Sequence, residues 1–269
     1  MQKIANENNK FNIKVYEKLI KKFNDIKNLY ESSKDINLLN QKLENVNIDK
    51  SIIKLLSEDN IKEEVNKKYV ELLKNNMKII TLEDKEYPIK IKFSSYNIPF
   101  CIIATNDIKI NKKNIYIYYD EYFTNFAKNV VYYFAKIANT ENWNVVTEYS
   151  NIKLKTVEIK AMDIFKDENI YNENCIILPN IIQYYNYMLN VIDLMVIVEA
   201  RYEEKIVNLV NCFLEKGKDI YVVPSNVFRK NSYFSNFLIK QGADVILNKQ
   251  DLKYILNNII GWQFFLFSI

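Results

Sequence analysis

The sequence predicts an α/β protein in which a doubly wound, mainly parallel sheet follows a small all-helical domain. Three observations predict it. From Phe11 to Asn76 the apolar residues recur at helical spacing. Beyond Asn76 the period changes, and short apolar runs alternate with helical patterns almost to the end of the chain. Two of the three glycines, Gly217 and Gly242, fall just past helical stretches, where a left-handed C′ residue closes a helix.

In the first region the recurring positions are Val15, Leu19, Phe23, Ile26 and Leu29/Tyr30, then Ile52, Ile53 and Leu56, then Val65, Tyr69 and Leu72/Leu73. The polar stretches Ser32 to Asp35 and Glu44 to Asp49 break this pattern into short helices rather than one coiled coil. In the second region the expected strands are Lys78 to Leu82, Cys101 to Ala104, Ile115 to Tyr119, Val145 to Thr147, Cys175 to Leu178, Leu194 to Val198, Ile220 to Val223 and Val245 to Leu247. Helices are expected over Phe123 to Ala138, Val157 to Phe165, Glu203 to Leu214, Phe234 to Gln241 and Asp251 to Ile260. Short runs apolar on both faces, separated by helices, are the signature of a parallel, Rossmann-like sheet covered on each side. The expected organisation is therefore a helical domain over 1–76, an α/β domain over 77–260 and an apolar tail over 261–269 that docks rather than crosses a membrane.

Composition removes whole classes of chemistry. The chain has 269 residues with no histidine, three glycines and, among 37 basic residues, two arginines, Arg201 and Arg229. Histidine-dependent nucleophilic triads, histidine-ligated metals and a histidine general base are absent. Gly217, Gly242 and Gly261 are too scattered to build a P-loop or a dinucleotide fingerprint, which need glycine where backbone approaches phosphate. Asparagine and isoleucine each number close to forty, and with the lysine excess this is the codon bias of an AT-rich genome rather than a functional signal. A net charge of +4 and a pI near 8.6 permit a nucleic-acid surface without requiring one. Cys101, Cys175 and Cys212 stand apart among apolar neighbours and read as buried thiols of a reducing compartment. Met1 to Lys10 is polar, unlike a signal peptide, and no apolar run reaches the ~18–20 residues of a membrane span. The expected location is the cytoplasm.

Two segments carry a family resemblance. The first is Asp193-Leu-Met-Val-Ile-Val-Glu199-Ala200, a helix, Leu214-Glu-Lys-Gly217-Lys218, Ile220-Tyr-Val-Val-Pro224, and Asn236-Phe-Leu-Ile239-Lys-Gln-Gly242-Ala243. The second is Met77-Lys-Ile-Ile-Thr81 with Asp84, Tyr87-Pro88 and Pro99-Phe-Cys-Ile-Ile103. Together they resemble the DNA processing protein A family (DprA, also called Smf), and the helical region matches in position and size that family's sterile-alpha-motif or helix-hairpin-helix region. The departures lie at strand ends. The family's G-S-R turn is replaced by Tyr119-Asp120-Glu121, its glycine-rich V-V-S-G-L-A turn by Val145-Val146-Thr147-Glu148-Tyr149-Ser150, with Glu158 in a histidine position. Its R-N-R segment becomes Tyr185-Asn186-Tyr187, and its S-G-S-L-I-T turn becomes Glu204-Lys205-Ile206-Val207-Asn208-Leu209.

Scaffold positions are thus kept, whereas small residues and arginines at the carboxyl ends of strands, where open α/β sheets bind ligands, are replaced. Asp120, Glu121 and Glu148 would repel phosphate there, so no nucleotide is expected to bind tightly at those ends. The resemblance implies a non-enzymatic protein that binds single-stranded DNA, loads the RecA recombinase during natural transformation, and dimerises with itself. The expected DNA contacts are Lys153, Lys155, Lys160, Asn186 and Lys205. Tyr118, Tyr119, Tyr149, Tyr185 and Tyr187 either stack on unpaired bases or fill the core. No catalytic residue, metal ligand or cofactor is expected: Glu199 belongs to a scaffold motif, and Asp84, Asp193 and Asp251 read as turn or cap residues. The rival reading is a degenerate scaffold that has lost DNA binding and serves as an interaction module.

Overall fold

The computed structural model describes residues 1–7, 11–92, 98–147, 156–163, 165–166 and 174–259. Contacts divide the chain into two compact units, one of Met1–Asn106, Ala161–Glu173 and Ile177–Tyr184, the other of Asp107–Lys160, Asn174–Ile176 and Tyr185–Ile269. The tail 261–269 lies outside the described residues.

The first unit begins with α1 (Gln2–Glu7), α2 (Ile13–Phe23), α3 (Ile26–Ser32), α4 (Ile36–Leu43), α5 (Lys50–Ser57) and α6 (Asp59–Lys74). Four of them start because a short polar side chain satisfies orphan amides: Asn12, Asp25, Asp35 and Asp49 accept from the first-turn backbone of α2, α3, α4 and α5. Their apolar faces bury Leu19, Leu29, Leu39, Ile52 and Leu72. Strand β1 (Met77–Thr81) follows, then α7 (Ile89–Lys92) and β2 (Cys101–Thr105), which pairs antiparallel with β1. Asp84 is the turn residue the sequence predicts, its Oδ2 accepting from the Thr81 amide at 2.7 Å and the Thr81 hydroxyl at 2.8 Å.

The remaining elements are β3 (Asn114–Tyr119), α8 (Asn125–Thr140), β4 (Asn144–Thr147), β5 (Val157–Ala161), β6 (Cys175–Leu178), α9 (Ile181–Val191), β7 (Leu194–Glu199), α10 (Glu204–Glu215), β8 (Ile220–Val222), a 3₁₀ turn Lys230–Ser232, α11 (Tyr233–Lys240), β9 (Asp244–Val245) and α12 (Lys249–Asn258). The strand order is β1-β2-β6-β5-β4-β3-β7-β8-β9, and the pairs β3/β4, β4/β5, β3/β7, β7/β8 and β8/β9 are parallel. The α/β, mainly parallel architecture is the one the sequence predicts.

Every residue of β3 and of β7 is buried. On one face Ile115, Ile117, Val196 and Val198 pack with Val131, Ala135 and Ala138 of α8 and Leu252 of α12. Small residues at three- and four-residue spacing on α8 let the helix lie close to the sheet. Asp193 accepts from the Asn114 amide at 2.9 Å, tying the start of β7 to that of β3. Asp251 completes a capping box with Asn248 at the head of α12.

One expected element is wrong. Val157 to Phe165 is not a helix: Val157–Ala161 is strand β5, paired in register Val146↔Val157 and Thr147↔Glu158. Val157 and Ile159 are buried while the residues between are half-buried, a period of two that a five-residue Val-Glu-Ile-Lys-Ala run satisfies. The last strand is also shorter than expected, Asp244–Val245. Of the three cysteines only Cys175 is fully buried; Cys101 and Cys212 are half-buried, and all three are free thiols. No helix among the described residues is long and apolar enough to cross a membrane.

Both C′ glycines behave as the sequence predicts. Gly217 (φ +63°) closes α10 and Gly242 (φ +97°) closes α11 with paired Schellman bonds, Lys218 to Phe213 at 3.0 Å and Ala243 to Leu238 at 3.0 Å. A Cβ at either site meets nothing within 4 Å, so substitution is resisted by backbone conformation alone. Gly217→Ala and Gly242→Ala are each expected to lower stability by about 1 kcal/mol, read as a fall in the urea midpoint at unchanged slope.

Candidate functional site

The carboxyl ends of β3, β7 and β8 come together in the second unit, where open parallel sheets bind ligands. Glycine is absent from this rim, and side chains shape it instead. Asp120, the residue after β3, is 0% exposed. Its Oδ1 accepts from the Tyr122 amide at 2.9 Å, and its Oδ2 accepts from the Arg201 amide at 3.2 Å and from Arg201 Nε at 2.7 Å. The Arg201 guanidinium also reaches Glu203 at 2.6 Å and lies 4.8 Å from the Tyr122 ring centroid. Hydrogen bonding to Asp120 raises the Arg201 pKa, so the guanidinium stays charged. Asp120 is therefore not the phosphate-repelling group that the sequence suggests: its charge is consumed in joining the loop after β3 to the loop after β7.

A second carboxylate does similar work. Glu199, buried at the end of β7, accepts from the Thr124 hydroxyl at 2.8 Å and the Thr124 amide at 3.2 Å, while Thr124 caps α8 through Ala127. The register shift between Tyr118 and Tyr119 against β7 occurs at this same rim. Beyond β8, Ser225 donates to the Val198 carbonyl at 2.9 Å and is held by Asn236 of α11, whose Oδ1 accepts from the Ser225 amide and whose Nδ2 donates to the Ser225 carbonyl. Asn226 then accepts from the Phe228 amide at 2.9 Å and closes a turn onto the Arg229 amide at 3.2 Å. Asn231 Nδ2 donates to the Tyr122 carbonyl.

This scaffold presents an aromatic and cationic surface. Phe228 is 94% exposed, and Tyr122, Tyr202 and Tyr233 are each more than half exposed. Tyr202 stands edge-on to Phe234 at 5.3 Å, which fixes its ring. Both arginines of the chain are here, beside Lys230 and, in the first turn of α10, Lys205. Arg229 and Lys230 have no ion-pair partner among the described residues.

The residues expected to touch DNA are spread differently. Lys153 and Lys155 lie outside the described residues, as do Glu148 and Tyr149. Lys160 is on β5, where its amine pairs with Glu158 at 3.3 Å. Adjacent strands lie about 4.8 Å apart, so β5 is about 14 Å across the sheet from β7. Asn186 sits mid-way along α9, its side-chain oxygen accepting from Asn190 at 2.8 Å. Among the described candidates, only Lys205, in the first turn of α10 and three residues after Tyr202, follows a strand of this rim. Tyr118, Tyr119 and Tyr187 are buried, and burial pushes the Tyr187 hydroxyl pKa upward, so these rings belong to the core. Tyr122, Tyr202, Phe228, Arg229 and Tyr233 carry no motif that marks them in the sequence. The one signal for them was that a chain rich in lysine keeps arginine at 201 and 229 only. No group of three His, Cys, Asp or Glu side chains among the described residues is placed to hold a metal.

No protein-family model matches the chain, and no curated protein matches it in sequence. Solved structures do match. DNA processing protein A (DprA) from Streptococcus pneumoniae aligns over 86% of this chain and 96% of its own, with a TM-score of 0.52 and 14% identity. DNA processing protein A from Helicobacter pylori aligns over 69% of this chain and 99% of its own, with a TM-score of 0.55 and 15% identity. The fold is that of DNA processing protein A. The motif residues that carry the sequence resemblance are scaffold in this structure: Glu199 holds Thr124, Asn236 holds Ser225, and Gly217 and Gly242 end helices.

Removing the Asp120 carboxylate leaves the Tyr122 and Arg201 amides without an acceptor. Asp120→Ala is expected to cost about 2 kcal/mol in urea denaturation. Asp120→Asn, which keeps one acceptor oxygen, is expected to cost less.

Proposed function

We propose that this chain is a DprA-like, non-enzymatic protein that binds single-stranded DNA at the carboxyl rim of β3, β7 and β8. The observation that carries the reading is that four exposed rings, Tyr122, Tyr202, Phe228 and Tyr233, lie in the segments following β3, β7 and β8, the same segments that hold both arginines of the chain. Every unpaired base offers a π-face, and aromatic platforms flanked by cations hold single strands without reading their sequence. The H. pylori DNA processing protein A is described with a single-stranded DNA binding mode, and its fold is shared here. Homodimerisation, RecA loading during DNA uptake and action in the cytoplasm belong to the same proposal. They rest on the resemblance to the DprA family.

The rim works without a glycine cradle. Arg229 and Lys230 supply charge for the phosphates, Lys205 adds a cation at the head of α10, and the rings supply stacking. Lysine acts as a point charge and gives no bidentate phosphate geometry, so affinity is expected to be modest and strongly dependent on salt. The rival reading, an interaction module without DNA, draws on the same rings, because Val227 and Phe228 form an exposed apolar tip suited to protein docking.

Fluorescence anisotropy with labelled oligo(dT) separates the two. Three phosphates neutralised by Lys205, Arg229 and Lys230 give a slope near −2 in log K against log salt, at about −0.7 per phosphate. Arg229→Ala/Lys230→Ala is expected to flatten that slope by about 1.4. Phe228→Ala/Tyr202→Ala is expected to weaken binding by about 1–3 kcal/mol per base unstacked, with the slope unchanged. Absence of binding at low salt favours the interaction module.

A further inference from the structure

The second unit has a cleft of about 520 Å³ at the opposite end of its sheet, where β4 and β5 begin. Three lysines line it, Lys109 and Lys112 from the loop before β3 and Lys136 from α8, against a single carboxylate, Asp107. Lys109 and Lys136 are exposed and have no ion-pair partner among the described residues. Lys112 is half-buried, oriented by donation to Asn142 Oδ1 at 2.6 Å. The buried side chains of Ile108, Trp143 and Val157 give the cleft an apolar wall.

The carboxyl terminus of α8 ends at this cleft, and free helix carbonyls would repel an anion. They are not free. Asn142 adopts φ +65°, its amide donates to the Asn139 carbonyl at 3.2 Å, and the Trp143 amide donates to the Ala138 carbonyl at 2.9 Å. This Schellman closure turns three carbonyls inward to backbone donors, and three lysines against one carboxylate give the cleft a net positive charge. Its volume lies within the range of about 300–1,000 Å³ typical of small-molecule sites, with an apolar wall and a few convergent polar groups.

We propose that this cleft binds a phosphate-bearing ligand of mononucleotide size, its phosphate on Lys109, Lys112 and Lys136 and its base against the Trp143 wall. The site is separate from the DNA rim and does not depend on it. A phosphate could equally arrive on a nucleic-acid backbone, and the test distinguishes the two sources.

The chain has two tryptophans, so Trp262→Phe leaves Trp143 as the only indole reporter. Titrating that protein with dTMP or AMP at millimolar concentration is expected to give a saturable change in Trp143 emission, whereas uncharged thymidine gives none. Lys109→Glu/Lys136→Glu, both exposed and expected to fold normally by thermal unfolding, should weaken the apparent affinity at least about tenfold, as loss of a charge-assisted contact does. Arg229→Ala/Lys230→Ala should leave the signal unchanged, which separates this site from the rim. No saturable change with either nucleotide overturns the proposal. Response to oligo(dT) with both mononucleotides silent, or an unchanged response in the double lysine variant, overturns it as well.

Discussion

A carboxylate with no exposed surface must have its charge and its lone pairs met, and Asp120 meets both with groups from two separate loops. That requirement organises the end of the sheet. The loop after β3 and the loop after β7, 81 residues apart in the chain, are joined through one side chain. With the joint made, Arg201 is oriented over Tyr122, and the ring faces outward. Glu199 and Thr124 repeat the device one residue before the loop begins, and Ser225 with Asn236 extends it to the loop after β8.

Glycine scarcity makes such joints necessary. A phosphate cradle built from backbone amides needs residues without Cβ atoms or with φ > 0, and this rim has none to spend. The chain instead fixes its strand-end loops with buried carboxylates and amides and displays rings and cations on top of them. On the proposed reading, a ligand at this rim would meet side chains rather than backbone amides. Tyr119-Asp120-Glu121 and Glu204-Lys205-Ile206 therefore give these strand ends a surface of rings and charges rather than of bare backbone.

How far the sequence could be read follows from how local each signal is. The helical region, the alternation of strands with helices and the two C′ glycines depend on neighbours within one or two turns, and periodicity reports them. Val157 to Ala161 defeats it because Val-Glu-Ile-Lys-Ala is too short to separate a period of 2 from one of 3.6, and only pairing with β4 decides. The rim fails for a different reason. The chain has 20 tyrosines and 15 phenylalanines, so aromatic identity carries little information, and Tyr119 in the core and Tyr122 on the surface are three residues apart. In sequence Asp120 reads as a group that repels phosphate, because its partner, Arg201, lies 81 residues away. Lys160 is read from its place after the Val145 to Thr147 strand, and Asn186 and Lys205 from motif positions; in the fold they stand on β5, α9 and α10, and of the three only Lys205 follows one of the strands that form the rim.

The most direct test of the rim is where a base touches the protein. Photocross-linking with an oligo(dT) carrying 5-iodouracil, followed by mass spectrometric mapping, reports aromatic side chains stacked on bases. Adducts at Tyr122, Tyr202, Phe228 or Tyr233 are the predicted result. Efficient cross-linking confined to the helices between Phe11 and Asn76, with the four rim rings unmodified, would contradict it.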